Sequence, residues 1–342
     1  MTAISPFGPA SSTEGTPPQA VRIPETLRIG ACERLVSGPD RRKAAQNLMR
    51  SASSHGIDLD LMWGVLAPAD DSNSPRVRQT CLAVLGSGRT AMLFHSSPEQ
   101  PKVFGPRARQ CEEIEACLRR ALEELSLIPE RAALAQCLIE PRHKWAPEVC
   151  TGAGMISVGE LAYMRKPIGP GVSVPAEQDW GEGIVVRPIR SLDRASEVSD
   201  YEHLARALES SYEGTLDCPE LCGLRSIHDI IESHMATGSF DVSNWLLIFR
   251  DDEPVGCCLL THCPASASVE LVYLGLGPRG RGMGLGKRVL AYGIERVRHL
   301  PVHEVTCAVD TRNAPAISVY ASLGFSRFDS RIGFVAPLPL GS

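Results

Sequence analysis

Residues 270 to 293, ELVYLGLGPRGRGMGLGKRVLAYG, constrain this 342-residue chain more than any other stretch. Glu270 to Leu276 is apolar and β-prone and predicts a strand. A glycine-rich turn follows from Gly277 to Gly286. Beyond it Val289, Leu290, Ile294 and Val297 recur at helical spacing until Pro301 stops the pattern. A strand, a glycine loop and a helix in that order aim several backbone N–H groups and a helix N-terminus at one point. Such a point binds anions, phosphate above all.

The loop departs from two familiar phosphate loops. A Walker A loop would need glycine in place of Arg281 and a hydroxyl in place of Arg288. The dinucleotide pattern G-x-G-x-x-G, started at Gly280, Gly282 or Gly284, meets Leu285, Lys287 or Val289 where its third glycine belongs. Arg279-Gly280-Arg281-Gly282-Met283-Gly284 does fit Arg/Gln-x-x-Gly-x-Gly/Ala. Downstream, Asn313 to Phe325 (NAPAISVYASLGF) fits Asn-x-x-Ala-x-x-x-Tyr-x-x-x-Gly-Phe. On these two motifs residues 183 to 338 resemble the Gcn5-related N-acetyltransferase (GNAT) superfamily.

The resemblance implies an acetyl-CoA-dependent N-acetyltransferase acting by direct attack of a primary amine on the thioester. It implies that the N–H groups of Arg281, Gly282, Met283, Gly284 and Leu285 bind the pyrophosphate, with Gly280, Gly282 and Gly284 letting it approach, and that Arg279 also belongs to the cofactor-binding set. A central-strand amide near Leu274 to Leu276 would polarise the thioester carbonyl, at a place where strands splay. Tyr320 matches the family's general acid for the departing thiolate. Glu270, at the head of the strand, is the candidate base, working through a water. Asn313 would orient the loop or bind the pantetheine arm. Side chains of Arg279, Arg281, Lys287 or Arg288 could add positive charge. The loop between two predicted helices, with Tyr212, Glu213, Asp217, Cys218 and Arg225, is where acceptor recognition is expected.

The first half carries no diagnostic motif. Leu27 to Val36 alternates like a strand, and a helical stretch opens at Pro39-Asp40. Leu61 to Leu66 is a short apolar run. Thr80 to Leu85 and Thr90 to Phe94 read as a hairpin, Glu112 to Leu125 as a helix, and Ala132 to Ile139 and Met155 to Met164 as strands. That order is the order of the resembled fold, so residues 25 to 167 are read either as a worn second copy or as an unrelated accessory domain. In the worn copy Pro106-Arg107-Ala108-Arg109-Gln110-Cys111-Glu112 echoes Pro278 to Gly284 with its glycines replaced. Side chains there would crowd a pyrophosphate away. The expected class is α/β (α+β): tandem acyltransferase-like folds, each a mixed, mostly antiparallel sheet flanked by helices. Residues 1 to 24 are expected to be disordered, 168 to 182 to be a linker, and 183 to 342 to be the catalytic domain.

A net charge of −5 and a pI near 6.0 argue against nucleic acid as the main partner. No apolar run is long enough to span a membrane, and the N-terminus lacks the basic and apolar regions of a secretory signal, so a cytoplasmic protein is expected. The twelve cysteines are scattered and read mostly as buried free thiols. Cys218 and Cys222, followed by His228 and His234, have a zinc-like spacing, but acyl transfer needs no metal and none is expected. The partners are acetyl-CoA and an amine acceptor that the motifs do not name, in a monomer or homodimer. Two other functions fit the same motifs: an acyl-CoA-binding regulatory module without turnover, and a protein lysine acetyltransferase.

Overall fold

The computed structural model describes residues 17–67, 76–169 and 178–338. The first half runs β1 (Val21–Arg22), α1 (Arg28–Leu35), α2 (Arg41–Ser51), β2 (Met62–Ala67), β3 (Arg76–Gly86), β4 (Thr90–His95), α3 (Pro101–Phe104), α4 (Arg107–Leu125), β5 (Leu134–Ile139), α5 (Ala146–Gly152) and β6 (Ile156–Pro167). The second half repeats the order: β7 (Ile184–Pro188), α6 (Tyr201–Tyr212), α7 (Ile227–Met235), β8 (Trp245–Arg250), β9 (Glu253–Cys263), β10 (Ser268–Leu276), α8 (Leu285–Val297), β11 (Glu304–Asp310), α9 (Ala314–Ser322) and β12 (Ser326–Pro337). No helix among the described residues is long and apolar enough to cross a membrane.

All the strands join one 12-stranded sheet in the order β1-β2-β3-β4-β5-β12-β6-β11-β10-β9-β8-β7. Its pairs are antiparallel except β4–β5 and β10–β11, one parallel pair in each half. The two halves trade their last strands. β12 inserts between β5 and β6, and β6 in turn lies against β11. Phe334 and Ala336 of β12 are buried in the first half's core with Trp63, Ile114 and Leu118. Ala162 and Met164 of β6 are buried in the second half's core with Leu290 and Val305. Fully burying a phenylalanine or methionine is worth about 1.5–3 kcal/mol, so each half owes part of its core to the other.

The segment expected as a first strand, Leu27 to Val36, is helical instead. Its apolar residues satisfy both periods, and Ala31, Cys32 and Leu35 fall on one helix face that packs with Met62, Val77 and Leu82. Tertiary burial decides between the two. The expectation of disorder up to residue 24 also gives way within the described residues. Val21 and Arg22 pair with Gly64 and Trp63, and Ile23 is buried; residues 1–16 lie outside the described residues. Residues 170–177 of the expected linker lie outside them as well. The hairpin β8–β9 turns through Asp251 and Asp252, both in the left-handed region (φ 52° and 62°).

The halves are also bolted together beside α7. Arg89, in the β3–β4 turn, donates from Nη2 and Nε to the two carboxylate oxygens of Asp229 (2.6 and 2.9 Å). At Gly88 a Cβ would overlap the carbonyl oxygen of Asp229, so only glycine permits that approach.

Candidate active site

β10 is central to the second half because of where its pairing ends. It runs parallel to β11 only from Ser268 to Glu270 and then separates from it, while pairing with β9 continues to Leu276. The register to β9 shifts between Leu271 and Tyr273, a bulge that twists the strand at the start of the gap. Amides of β10 on the β11 side past Glu270 therefore face an opening. A cleft of about 520 Å³ occupies it, lined by Tyr273 to Leu276, the glycine loop, and Asn313 to Tyr320 of α9.

At the loop end of this cleft, Gly282 (φ 78°) and Gly284 (φ 69°) adopt left-handed conformations. The N–H groups of residues 282 to 287 have no acceptor among the described residues, and the helix's first bond is Arg288 N to Gly284 O at 3.4 Å. A run of free N–H groups at a helix N-terminus is an anion cradle. The spacing G-x-G-x-x-G is met by Gly275, Gly277 and Gly280, but those lie at the strand end and in a 3₁₀ turn, ahead of the cradle.

Residues 212–325 match the model of the Acetyltransferase (GNAT) family. The second half of this chain carries a GNAT domain. The chain is 26% identical over 189 residues to a mycothiol acetyltransferase of Streptomyces bingchenggensis, covering 55% of this chain and 58% of that protein. It is 26% identical over 204 residues to one of Rhodococcus erythropolis, covering 56% and 62%. The chain thus spans less than two thirds of the length of these relatives. In fold it is similar to a GCN5-related N-acetyltransferase of Sphaerobacter thermophilus, with a TM-score of 0.55 and 18% identity over 94% of this chain and 96% of that one. That likeness extends the GNAT fold across both halves.

Within the GNAT domain the residues named from sequence take distinct places. Leu274, Leu276, Arg281, Gly282, Gly284, Leu285, Asn313 and Tyr320 line the cleft. Glu270, Arg279, Gly280 and Met283 do not. Gly280 donates to the Gly277 carbonyl within the 3₁₀ turn (2.9 Å), Arg279 pairs with Asp251 (3.1 Å), and Met283 is exposed with its sulfur near Arg250. The Arg281 guanidinium donates to Ser211, Glu213 and Leu276 carbonyls at 2.7–2.9 Å. It caps the C-terminus of α6 and braces the loop, and is not free to meet a phosphate. Arg288 bonds the Asp179 and Trp180 carbonyls and stacks on Trp180. Of the four basic side chains proposed from sequence, Lys287 lines the cleft and makes no ion pair among the described residues.

Tyr320 is 5% exposed, packed by Phe325. Burial raises its pKa well above the ordinary tyrosine value, so it holds its proton at neutral pH. Glu270 is half-buried, its pKa raised by burial, with Cys263 Sγ 4.0 Å from its carboxylate. Asn313 caps α9, its side-chain oxygen accepting from Ala316 N (3.2 Å).

A second cavity, about 380 Å³, adjoins the first and shares Thr215, Asp217 and Tyr273 with it. Tyr212, Asp217, Cys218 and Arg225 of the loop singled out from sequence line it, and Glu213 does not. The loop is stitched to the end of β11 by two reciprocal bonds: Asp310 N donates to Asp217 Oδ1 (2.9 Å) and Cys218 N to Asp310 Oδ2 (3.1 Å). Leu134 and Gln136, from the first half's β5, supply the opposite wall. Sequence reasoning missed both, because nothing local marks a residue that acts across a domain boundary.

In the first half β4 and β5 part after Met92 and Gln136, as β10 and β11 do. The cradle is different. α4 begins at Arg107 directly after Pro106, and a single positive-φ glycine, Gly105 (φ 79°), precedes them where the second half has Gly282 and Gly284. Gln110 is buried and its amide bonds the Glu99 N–H, the Glu99 and Gly105 carbonyls, and Gln79. Cys218, Cys222, His228 and His234 do not converge. Among the described residues the His/Cys ligand atoms that do lie within 4.8 Å of one another belong to His95, Cys137 and Cys150, in the first half.

Proposed function

We propose that the GNAT domain transfers an acetyl group from acetyl-CoA to the primary amine of a small molecule, which attacks the thioester directly. The observation that carries this is the run of unpartnered N–H groups at 282 to 287, opening onto the gap between β10 and β11. The CoA pyrophosphate lies on those N–H groups, with Lys287 adding charge, and the pantetheine arm runs along β10 past Asn313. An outward amide between Leu274 and Leu276 donates to the thioester oxygen and stabilises the oxyanion that forms there. Tyr320 delivers a proton to the thiolate as the C–S bond breaks. A buried phenol suits this in one respect: it is protonated in the resting enzyme and so is available as the donor. Glu270 lies outside both cavities, so any part it takes as a base requires intervening water.

A small acceptor is supported by the enclosure of the second cavity between the 213–225 loop and the first half's β5. The mycothiol acetyltransferase relatives support acetyl transfer as the reaction. The first half binds no CoA in this reading, because Ala108, Gln110 and Glu112 stand where the second half has the glycines that let a pyrophosphate approach the backbone. Calorimetry with acetyl-CoA tests the scheme: one equivalent on the wild type and none on Gly282→Glu is expected. Two equivalents, or binding that survives the substitution, would show the first half to be a second site. No binding at all would refute the acetyltransferase reading.

A further inference from the structure

We infer that the acceptor is a zwitterionic amine of amino-acid type, its anionic group held by Arg225 and its ammonium presented to Asp217. This rests on the acetyl-transfer reading and deepens it.

The charged groups lining the 380 Å³ cavity are Asp217, Arg225 and Glu209. Arg225 is half-buried, yet its one side-chain bond is to the Ser233 hydroxyl (3.2 Å). No carboxylate pairs with it among the described residues, and Asp229, the nearby acid that attracts it, is already gripped at both oxygens by Arg89. Other arginines withdrawn from solvent are matched: Arg34 to Glu99 and Arg187 to Asp200. A guanidinium taken from water without a counter-ion carries an uncompensated desolvation cost, and burial accordingly lowers the Arg225 pKa. Beside it His234, which burial holds neutral with a pKa of about 4, has a buried Nε2 without a partner. This end of the cavity presents a cation and an unmatched polar atom, and an anionic group on a ligand would satisfy the cation.

The wall shared with the thioester cleft is opposite in sign. Asp217 is the carboxylate on the wall that both cavities share, so an amine bound beside it faces the thioester cleft. Burial raises its pKa, while the Asp310 N–H and Asn313 hold its charged form, which leaves a carboxylate of increased basicity. Glu209 is an exposed second carboxylate in the lining and makes no ion pair among the described residues. In the reaction Asp217 takes one proton from the ammonium, and the freed lone pair forms the N–C bond. The C–S bond breaks with its electron pair on sulfur, which receives the Tyr320 proton. The nitrogen's surplus proton returns to Tyr320, and Asp217 releases its own to solvent.

The test compares amino acids with their matched amides and decarboxylated amines as acceptors, measuring thiol release by the full chain. Carboxylates are expected to exceed amides by at least about tenfold in kcat/KM. Arg225→Met should remove that preference by raising KM for the acids alone, with Arg225→Lys restoring part of it, and Asp217→Asn should lower kcat for every amine. Equal rates for acids and amides, a preference for polyamines, or equal losses for both classes in Arg225→Met would overturn the inference. Should no amine be acetylated, thermal shift in the presence of CoA reads the acceptor site directly. Stabilisation by acids in the wild type but not in Arg225→Met supports the inference, and none overturns it. Acetyl-CoA calorimetry, run alongside, reports separately on the transferase reading.

Discussion

Replacing Gly282 or Gly284 by alanine separates what the cradle does for the fold from what it does for the cofactor. Both residues have positive φ, and a Cβ built on either meets no atom within 4 Å. Inside the protein the cost is therefore the left-handed backbone alone, about 1 kcal/mol. For a chain of this size that is a fall in Tm of about 2 °C. Both residues line the cleft, so the new methyl stands where a phosphate oxygen would approach the free N–H groups. Loss of one or two charge-assisted hydrogen bonds, each about 1.5–3 kcal/mol, raises the acetyl-CoA Kd by at least about tenfold. Gly56→Ala is the matched control, since Gly56 has φ 67°, open space at Cβ and a place far along the chain. It should show the same fall in Tm with Kd unchanged. The assay is calorimetry paired with thermal melts. If Gly282→Ala and Gly284→Ala bind acetyl-CoA within twofold of wild type while losing the same Tm as Gly56→Ala, these glycines serve only the backbone, and the cradle reasoning is wrong.

Tyr320→Phe removes one hydroxyl from a packed ring; Tm should hold within about 1 °C while kcat falls by about 10²–10³, and an unchanged kcat would remove Tyr320 from the proton path. Arg89→Met leaves Asp229, in the first turn of α7, without its ion-pair partner; the acceptor KM should rise several-fold with acetyl-CoA affinity intact, and parallel losses would mean general unfolding. The same pair sets a pH dependence. The Arg89 hydrogen bonds lower the Asp229 pKa, so the pair's stabilisation is complete above the unfolded value of about 4 and is lost as pH falls through the folded one. Wild-type Tm should therefore drop more steeply below about pH 4 than that of Asp229→Asn, and identical slopes would argue against the linkage. Residues 17–169 and 178–338 produced apart should be poorly soluble alone and associate when co-expressed, because each lacks a strand the other supplies; two soluble monomers on gel filtration would contradict the exchange.

By itself the sequence determined the elements whose chemistry is local. Gly282 and Gly284 are legible because few other residues tolerate their backbone. α8 shows in the spacing of Val289, Leu290 and Ile294, and Tyr320 in its distance from Asn313. Even the repeat of strand and helix order in the first half could be read, despite a wrong period at Leu27 to Val36, where Ala31 and Cys32 fit both templates until Met62 and Val77 bury them. Tertiary structure alone decided what depends on residues far apart in the chain. The insertion of β12 between β5 and β6 comes from Phe334 and Met164 each finding a core in the other half. Arg281 reads as a phosphate ligand in its motif, but the Ser211 and Glu213 carbonyls some 70 residues away claim it. Asp217 and Arg225 look like ordinary loop residues until Asp310 and the first half's Leu134 and Gln136 close a cavity around them. Their burial, and with it their chemistry, belongs to neighbours the local sequence does not contain.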